Sequence, residues 1–372
     1  MANGDLKDRL RHRIDRDGPI TVADYMSICL TDPEAGYYTT TQAIGQKGDF
    51  VTAPEVSQVF GELIGLFFAD YWQRSGQPPA IRLIELGPGR GTLMADLLRA
   101  ARSVPVFFES LTVDLVEISP ILRSAQADRL AASRRSPTWF DCLEDIPNDR
   151  PQFIIANEFF DALPITQIEH TETGWRERLV TYQAGTQDFA FAHAEHVTPA
   201  PDGQESAPIG SIMEQCAAAR TVMAEICQRI GDHGGVALAI DYGYEGPAIG
   251  DTLQAVKAHQ YANPLTDPGN ADLTAHVDFT PLEQAATDQD TVPWGVIPQG
   301  RFLRSLGLEQ RLQSLSHGKP DDIVRTLRGG AERLVGPGQM GRLFKVLAVT
   351  ERTGPPPAGF ESADTQPGNP IA

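Results

Sequence analysis

The pattern of apolar and polar residues changes near residue 80. Beyond that point, short runs of β-branched and aliphatic residues are separated by helix-length segments. Runs that are apolar through most of their length are typical of buried parallel strands joined by crossover helices. Seven such runs occur, at residues 81–86, 111–116, 138–140, 153–156, 236–240, 292–297 and 344–349. They predict an α/β fold with a doubly wound, mostly parallel sheet of seven strands.

The first 76 residues have the pattern of helices and loops instead. A helix is expected over about residues 54–74. An amphipathic helix precedes it, marked by apolar residues spaced by four, Leu6, Leu10 and Ile14. We interpret this region as an N-terminal helical cover. Residues 48–62 within it would either close over a ligand as a lid or clamp the N-terminal helices onto the sheet.

An insertion is expected after the fourth strand, at about residues 166–209. Residues 175–182 and 188–193 alternate apolar and polar side chains around Gly185, which predicts an antiparallel hairpin with one solvated face. A helix over about residues 210–230 should then return the chain to the fifth strand, with its apolar stripe in the core.

These boundaries predict one main domain over residues 77–350, preceded by the helical cover. The last segment, residues 351–372, contains three consecutive prolines and no apolar period. We expect it to be a disordered tail.

The composition of the chain argues against several classes of function. The chain has 372 residues and a formal net charge of −18, which argues against nucleic-acid binding through a broad basic surface. Four scattered cysteines without a C-x-x-C pair indicate neither a disulfide framework nor a zinc site. No apolar run approaches the length of a spanning helix, and the N-terminus has neither the apolar core of a secretory signal nor the composition of a transit peptide. We expect a soluble, cytoplasmic protein without membrane insertion.

A glycine-rich turn follows the first predicted strand and precedes a helix. Its glycines, Gly87, Gly89 and Gly91, let the backbone turn sharply and let a ligand approach the main chain closely. A dinucleotide-binding fingerprint would need glycine at Thr92, one position later than the third glycine here. The acidic Glu85 beside the turn would repel a pyrophosphate and favour a ligand with a cationic centre.

Two further carboxylates end the neighbouring strands. Glu117 closes the second strand, where a carboxylate can bind both ribose hydroxyls of a nucleoside. Asp141 ends the third strand and would accept a hydrogen bond from an adenine amino group. Each carboxylate alone is equally compatible with a surface or capping role. Together with the glycine turn they predict a nucleoside that carries a sulfonium and an amino-acid tail, S-adenosylmethionine.

Six motifs resemble those of the MidA-like S-adenosylmethionine-dependent methyltransferases, and the resemblance extends from about residue 10 to residue 349 in matching order. The motifs are GDFVTAPE at 48–55, SQVFGE at 57–62, ELGPGRGT at 85–92, ANEFFDALP at 156–164, IDYG at 240–243 and AHVDF at 275–279.

The resemblance implies a class I, Rossmann-like methyltransferase fold and S-adenosyl-L-methionine as cofactor. Eukaryotic members of the family are mitochondrial protein arginine methyltransferases required for the assembly of respiratory complex I. The implied partner is therefore a protein, the quinone-site subunit of complex I (NADH-quinone oxidoreductase), with symmetric dimethylation of one arginine. The N-terminus departs from the mitochondrial members and fits a bacterial one.

Three polar residues just past the fourth strand are candidate site residues, two for catalysis and one for cofactor binding. A guanidinium must be oriented by carboxylates that match its fork and absorb its charge. If a helical turn begins there, Glu158 and Asp161 are three residues apart and share a face. We predict that these two carboxylates orient the guanidinium and that Asn157 contacts the cofactor. The alternative is that the two carboxylates cap a helix N-terminus.

His276 is a third catalytic candidate. A neutral imidazole oriented by Asp278 could receive the proton released after transfer. A structural role is the alternative for this residue. For the whole chain, two other functions stay open at this point, a small-molecule N- or O-methyltransferase and a noncatalytic assembly factor.

Overall fold

The computed structural model of the protein describes residues 5–40 and 52–360. In chain order its helices are α1 (Leu6–Asp17), α2 (Val22–Thr31), α3 (Tyr37–Thr40), α4 (Ala53–Val56), α5 (Gln58–Arg74), α6 (Thr92–Ala101), α7 (Pro105–Ser110), α8 (Pro120–Leu130), α9 (Ala217–His233), α10 (Thr280–Asp288), α11 (Gln299–Ser305), α12 (Leu308–Ser316), α13 (Asp321–Val335) and α14 (Met340–Leu343).

The strands belong to three sheets. They are β1 (Ile20–Thr21), β2 (Ile81–Leu86), β3 (Leu111–Val116), β4 (Thr138–Phe140), β5 (Gln152–Asn157), β6 (Thr166–Thr171), β7 (Gly174–Gln183), β8 (Asp188–His193), β9 (Ile212–Gln215), β10 (Gly235–Tyr244), β11 (Gln254–Lys257), β12 (Gln260–Ala262), β13 (Asp272–Thr274), β14 (Val277–Asp278), β15 (Val292–Pro298) and β16 (Phe344–Thr350).

The central sheet confirms the predicted fold class. Its order is β15-β16-β10-β5-β2-β3-β4, and the short β14 adds to the end of β10. The strands from β4 to β10 pair in parallel, whereas β16 is antiparallel to both of its neighbours. All seven predicted strands are present. The carboxyl ends of β2, β3 and β5 therefore lie side by side at one edge, where open α/β sheets bind their ligands.

Helices cover both faces of this sheet because its inner strands are apolar on both sides. Leu83 and Phe153 pack on one face with α5 and α6, and Ile84 and Ile154 pack on the other with α9 and α10. The helix expected over residues 54–74 is divided into α4 and α5. The break comes at Ser57, whose hydroxyl accepts a hydrogen bond from Val59 N and caps α5.

The insertion forms a second, antiparallel sheet. The predicted hairpin is present as β7 and β8, and β1, β6 and β9 extend it to five strands. The helix expected from residue 210 begins only at Ala217, because Ile212–Gln215 pair with β6 as strand β9. Glu214 fixes this strand, since its carboxylate accepts hydrogen bonds from the backbone N–H groups of Thr252 and Leu253.

The N-terminal helices pack on the insertion. Leu10 of α1 and Tyr25 of α2 share a core with Val180 of the second sheet and Leu273 of the third. The third sheet, β12-β11-β13, has no counterpart among the predicted elements. Its strands have three or four residues and lie in a segment rich in turns, so they carry no readable period.

The predicted disordered tail is wrong for residues 351–360. Phe360 is fully buried and its ring centroid lies 5.4 Å from that of Phe302. Arg74 donates a hydrogen bond to the carbonyl oxygen of Pro356. Residues 361–372 lie outside the described part of the chain. Among the described helices, none is long and apolar enough to cross a membrane.

Candidate active site

The glycine turn lies between β2 and α6, as predicted. Gly87 has a φ of +61° and Gly91 a φ of +75°, both in the left-handed region that favours glycine. The N–H of Gly87 donates to the carbonyl oxygen of Val116, which ties the turn to the end of β3. A Cβ at Gly87 would lie 3.0 Å from the ring of Phe159. The turn is therefore enclosed between the ends of β3 and β5.

Glu85 lies buried beside this turn with an unsatisfied oxygen. Its Oε2 has no hydrogen-bond partner among the described residues. Burial, and then the neighbouring Glu117, raise the pKa of the Glu85 carboxyl to about 8. A buried acceptor without a hydrogen-bond donor destabilises the folded protein. A ligand that brings an N–H group or a positive charge would satisfy this oxygen.

Glu117 is connected to the glycine turn through Gln126. The Nε2 of Gln126 donates to Gly89 O at 2.7 Å and to Glu117 Oε2 at 3.1 Å. The other carboxylate oxygen of Glu117 accepts from Ser119 N at 2.8 Å. Burial raises the pKa of Glu117. This carboxylate is held in a fixed orientation at the end of β3, as the ribose-binding prediction requires.

Asp141 is placed less favourably for its predicted role. Its side chain is 76% exposed and pairs with Arg123 at 2.6 Å. It does border the same cavity as Glu117, so the residue lies at the predicted edge of the sheet. To accept a hydrogen bond from an adenine amino group, the Asp141 carboxylate must either leave Arg123 or bind both groups at once.

Two cavities meet at the glycine turn. The large cavity, about 310 Å³, is bordered by Leu86, Val116, Glu117, Asp141 and Leu143. The small cavity, about 50 Å³, is bordered by Thr52, Glu85 and Asn157. Both are also bordered by Gly87, Gly89 and Glu158, which form the shared wall. The pair of cavities fits a ligand with a flat, partly apolar end and a short polar end.

Asn157 ends β5 at the small cavity, and Glu158 follows it at the shared wall. Glu158 Oε1 accepts hydrogen bonds from Ala53 N at 2.8 Å and from Asn157 Nδ2 at 3.3 Å. Among the described residues, no hydrogen bond reaches Glu158 Oε2. Asn157 Oδ1 is buried and also has no partner in the described chain. Both side chains therefore have an acceptor left over for a ligand.

The capping alternative for Glu158 is not supported by the backbone. Residues 158–163 form a turn and not the start of a helix. Glu158 itself has a φ of +50°, which is unusual for a residue with a side chain. Burial raises the pKa of Glu158 to about 7. Its carboxylate is held at the shared wall by contacts with α4 and with Asn157.

Asp161 does not share a face with Glu158, contrary to the prediction. Because no helix forms, the two residues lie on different parts of the turn, and Asp161 borders neither of the two cavities. Its carbonyl oxygen accepts from Ala275 N at 3.0 Å. Burial raises the pKa of its carboxyl to about 6. A direct role in binding the acceptor stays a prediction.

Asp241, within β10, was missed as a site residue. Its Oδ2 accepts hydrogen bonds from three successive N–H groups of the turn, those of Phe159, Phe160 and Asp161, at 3.0–3.2 Å. Two signals in the sequence could have indicated it, a carboxylate inside an otherwise apolar strand and its place in the IDYG motif at 240–243.

His276 borders a third cavity of about 390 Å³, together with Phe160 and Tyr244. Its ring packs edge-to-face on that of Tyr242, with centroids 5.3 Å apart. The predicted pair with Asp278 is not formed among the described residues, since Asp278 Oδ1 accepts from Thr280 N at the start of α10. The structure therefore does not bring His276 to the glycine turn.

We expect His276→Ala to reduce the turnover rate by much less than the roughly 10²-fold or more that a general base contributes. The reason is that the imidazole lies at a different cavity. Turnover measured across pH tests this, because a catalytic base would remove one limb of the pH profile. A loss of about 10²-fold together with that change would restore His276 as the base.

The segment predicted as a lid or clamp contacts both sides of the site. Glu55 Oε1 accepts from Thr92 Oγ1 directly after the glycine turn, and Ala53 N donates to Glu158. Gln58 turns instead toward Glu62 on its own helix. Residues 48–51 lie outside the described residues.

Comparison with known proteins identifies the family. Residues 63–296 match the family model described as "Putative S-adenosyl-L-methionine-dependent methyltransferase". The chain belongs to this methyltransferase family. S-adenosyl-L-methionine is thus the cofactor of the methyltransferase. The two cavities fit it, with acceptor oxygens at Glu85 and Asn157 that no described residue satisfies. We expect the large cavity to take the nucleoside and the small cavity the amino-acid end.

The sequence similarity to relatives of the methyltransferase extends over nearly the whole chain. A Mus musculus protein named protein arginine methyltransferase NDUFAF7, mitochondrial, is 37% identical over 365 residues, which cover 91% of this chain and 83% of that protein. The protein of the same name from Xenopus laevis is 36% identical and covers 96% of this chain and 89% of that protein. A crystal structure from Burkholderia thailandensis, bound to S-adenosyl-homocysteine, superposes with a TM-score of 0.83 at 26% identity. It covers 96% of this chain and 94% of that one.

Proposed function

We propose that the protein transfers a methyl group from S-adenosyl-L-methionine to the guanidinium of an arginine in a protein partner. The observation that carries this proposal is the position of Glu158, which borders both cavities and has an oxygen without a hydrogen bond in the described chain. The names of the relatives, protein arginine methyltransferase, support the acceptor class.

The residues at the shared wall have a positioning task. When bound, the cofactor supplies a methyl group on a cationic sulfur. In-line transfer then depends on alignment and on the exclusion of water. A guanidinium is planar and nearly always protonated, so a fixed carboxylate is needed to orient its N–H groups and balance its charge. Glu158 meets this need because Ala53 and Asn157 hold one of its oxygens, while the other has no hydrogen bond from any residue that the structure describes.

The pH dependence of the reaction should follow the ionisation of the Glu158 carboxyl. Its carboxyl has a pKa of about 7 in the free protein, so its ionised form dominates only above that pH. We expect kcat/KM to fall about tenfold per pH unit below the pKa and to level off above it. The assay is an initial-rate profile of methyl transfer between acidic and alkaline buffers. An unchanged rate at acidic pH would contradict the requirement for an ionised carboxylate.

The partner that we propose is the quinone-site subunit of complex I, on the basis of the family resemblance. The net charge of −18 supports a partner that presents a basic segment. We also propose a cytoplasmic location, which is supported by four scattered cysteines without a C-x-x-C pair, a usage typical of a reducing compartment.

The test uses the purified protein, S-adenosyl-L-methionine with an isotopically labelled methyl group, and a lysate from cells that lack the gene. We expect label in one or a few proteins, and titration calorimetry should show binding of the cofactor. Label confined to small molecules would support the small-molecule methyltransferase instead. Cofactor binding without any labelled product would support a noncatalytic factor.

A further inference from the structure

A single buried carboxylate organises the turn that carries Glu158. Asp241 is fully buried on β10, and its Oδ2 accepts the N–H groups of residues 159, 160 and 161 at 3.2, 3.0 and 3.2 Å. Its Oδ1 accepts from Tyr242 N at 2.9 Å. Both oxygens are thus engaged by main-chain donors, and three of the four donors belong to the turn.

The sheet places Asp241 where it can do this. β10 and β5 pair in parallel with Ile240 beside Asn157, and Glu158 N donates to Ile240 O at 2.9 Å. The ladder ends at that hydrogen bond. The next three N–H groups of the chain would lack acceptors in a buried position, and the carboxylate of the next residue on β10 supplies one for all three.

The conformation of Glu158 depends on this arrangement. With a φ of +50° the residue reverses the chain directly after β5, a conformation that a residue with a Cβ adopts only when its surroundings impose it. The reversal turns the Glu158 carboxylate toward the shared wall of the two cavities. Fixing the three following N–H groups is what holds the chain in this reversed path.

Asp241 has no contact of its own with the reaction space. It borders neither the large nor the small cavity. Burial and the nearby Asp161 and Glu158 raise its pKa, while hydrogen bonds from the N–H groups of Asp161 and Tyr242 oppose that rise. Its role must therefore be exerted through the turn.

We propose that Asp241 is a positioning residue for methyl transfer, which holds the 158–161 turn so that Glu158 meets the acceptor. This proposal rests on the proposed role of Glu158. It does not assign to Asp241 any contact with cofactor or acceptor.

The first test is Asp241→Asn in the full-length protein. Asparagine keeps the volume but has only one acceptor oxygen, so it cannot accept both from the turn and from Tyr242 N. We expect a loss of about 100-fold in kcat, with the dissociation constant of S-adenosyl-homocysteine unchanged within about threefold. Wild-type kcat in this variant would overturn the proposal.

A double variant separates positioning from general damage. If Asp241 acts through Glu158, adding Asp241→Asn to Glu158→Gln should cost little beyond the loss from Glu158→Gln alone. A further loss equal to that of Asp241→Asn by itself would show that the two residues act independently, and would overturn the proposal.

Folding and the proposed function are controlled separately. Asp114→Asn is the matched control, because Asp114 is also a buried carboxylate of the central sheet, paired with Arg82 at 2.7 Å. We expect Asp114→Asn to have the same kcat as the wild type. If Asp241→Asn does not fold, Asp241→Ser replaces it in the same measurements. Failure of both to fold, while Asp114→Asn folds, would assign Asp241 to stability alone and overturn the proposal.

A crystal structure of Asp241→Asn with S-adenosyl-homocysteine needs no acceptor. We expect Glu158 to leave its left-handed conformation and its carboxylate to leave the shared wall. Retention of both would overturn the positioning role. If the wild-type protein methylates no arginine, the proposed function fails, and this structure still decides the role of Asp241.

Discussion

Glu158→Gln should reduce kcat for methyl transfer by about 10²–10³-fold and leave the affinity for S-adenosyl-homocysteine within about threefold of wild type. The amide oxygen of glutamine can still accept from Ala53 N, so the turn and the cavities keep their shape. What is lost is the negative charge that orients and balances the guanidinium. Initial rates at saturating cofactor, together with titration calorimetry, measure the two quantities separately.

The matched control is Glu62→Gln, which makes the same chemical change at another buried glutamate. Glu62 pairs with Arg99 and Arg311 and borders neither cavity of the site. We expect it to lower thermal stability and to leave kcat within about threefold. Full turnover in Glu158→Gln, with this control behaving as expected, would remove Glu158 from the mechanism.

Gly87→Ala should weaken S-adenosyl-homocysteine binding by about 30- to 100-fold. The backbone φ of +61° is unfavourable for alanine, and the added Cβ would lie 3.0 Å from the ring of Phe159. The turn and the ring must both shift, and both border the large cavity. Titration calorimetry on the purified variant gives the change in affinity.

Gly76→Ala separates this effect from backbone strain alone. Gly76 has a φ of +89°, and a Cβ there would meet nothing within 4 Å. Because this glycine lies after α5 and outside the site, its variant should lose stability but bind S-adenosyl-homocysteine as the wild type does. Equal weakening in both variants would show that strain, and not the shape of the turn, controls affinity.

The central sheet could be predicted from the sequence because its strands are apolar on both faces and therefore appear as uninterrupted runs. The positions of the glycine turn and of Glu117 could then be predicted, since the carboxyl ends of adjacent parallel strands meet at one edge of the sheet. The third sheet could not be predicted, because strands of three or four residues are too short to show a period. Ile212–Gln215 were assigned to a helix because their apolar residues continue the stripe of α9 in register.

The prediction of individual side chains failed where the contacts are long-range. His276 follows β10 in the chain and was expected to receive the proton released after transfer, but the third sheet lies between β10 and β14, and His276 borders another cavity. Asp161 was placed beside Glu158 on an assumed helix, which the turn replaces. The role of Asp241 depends on the register between β10 and β5, and the sequence of neither strand reveals that register.

In the proposed reaction, an arginine of a protein receives the methyl group at the wall where Glu158 lies. Tandem mass spectrometry of the labelled partner, after incubation with wild-type protein or with Glu158→Gln, tests this reaction. We expect labelled methyl groups on an arginine side chain with the wild-type protein and none above background with the variant. Label on a residue other than arginine, or equal label with both proteins, would contradict it.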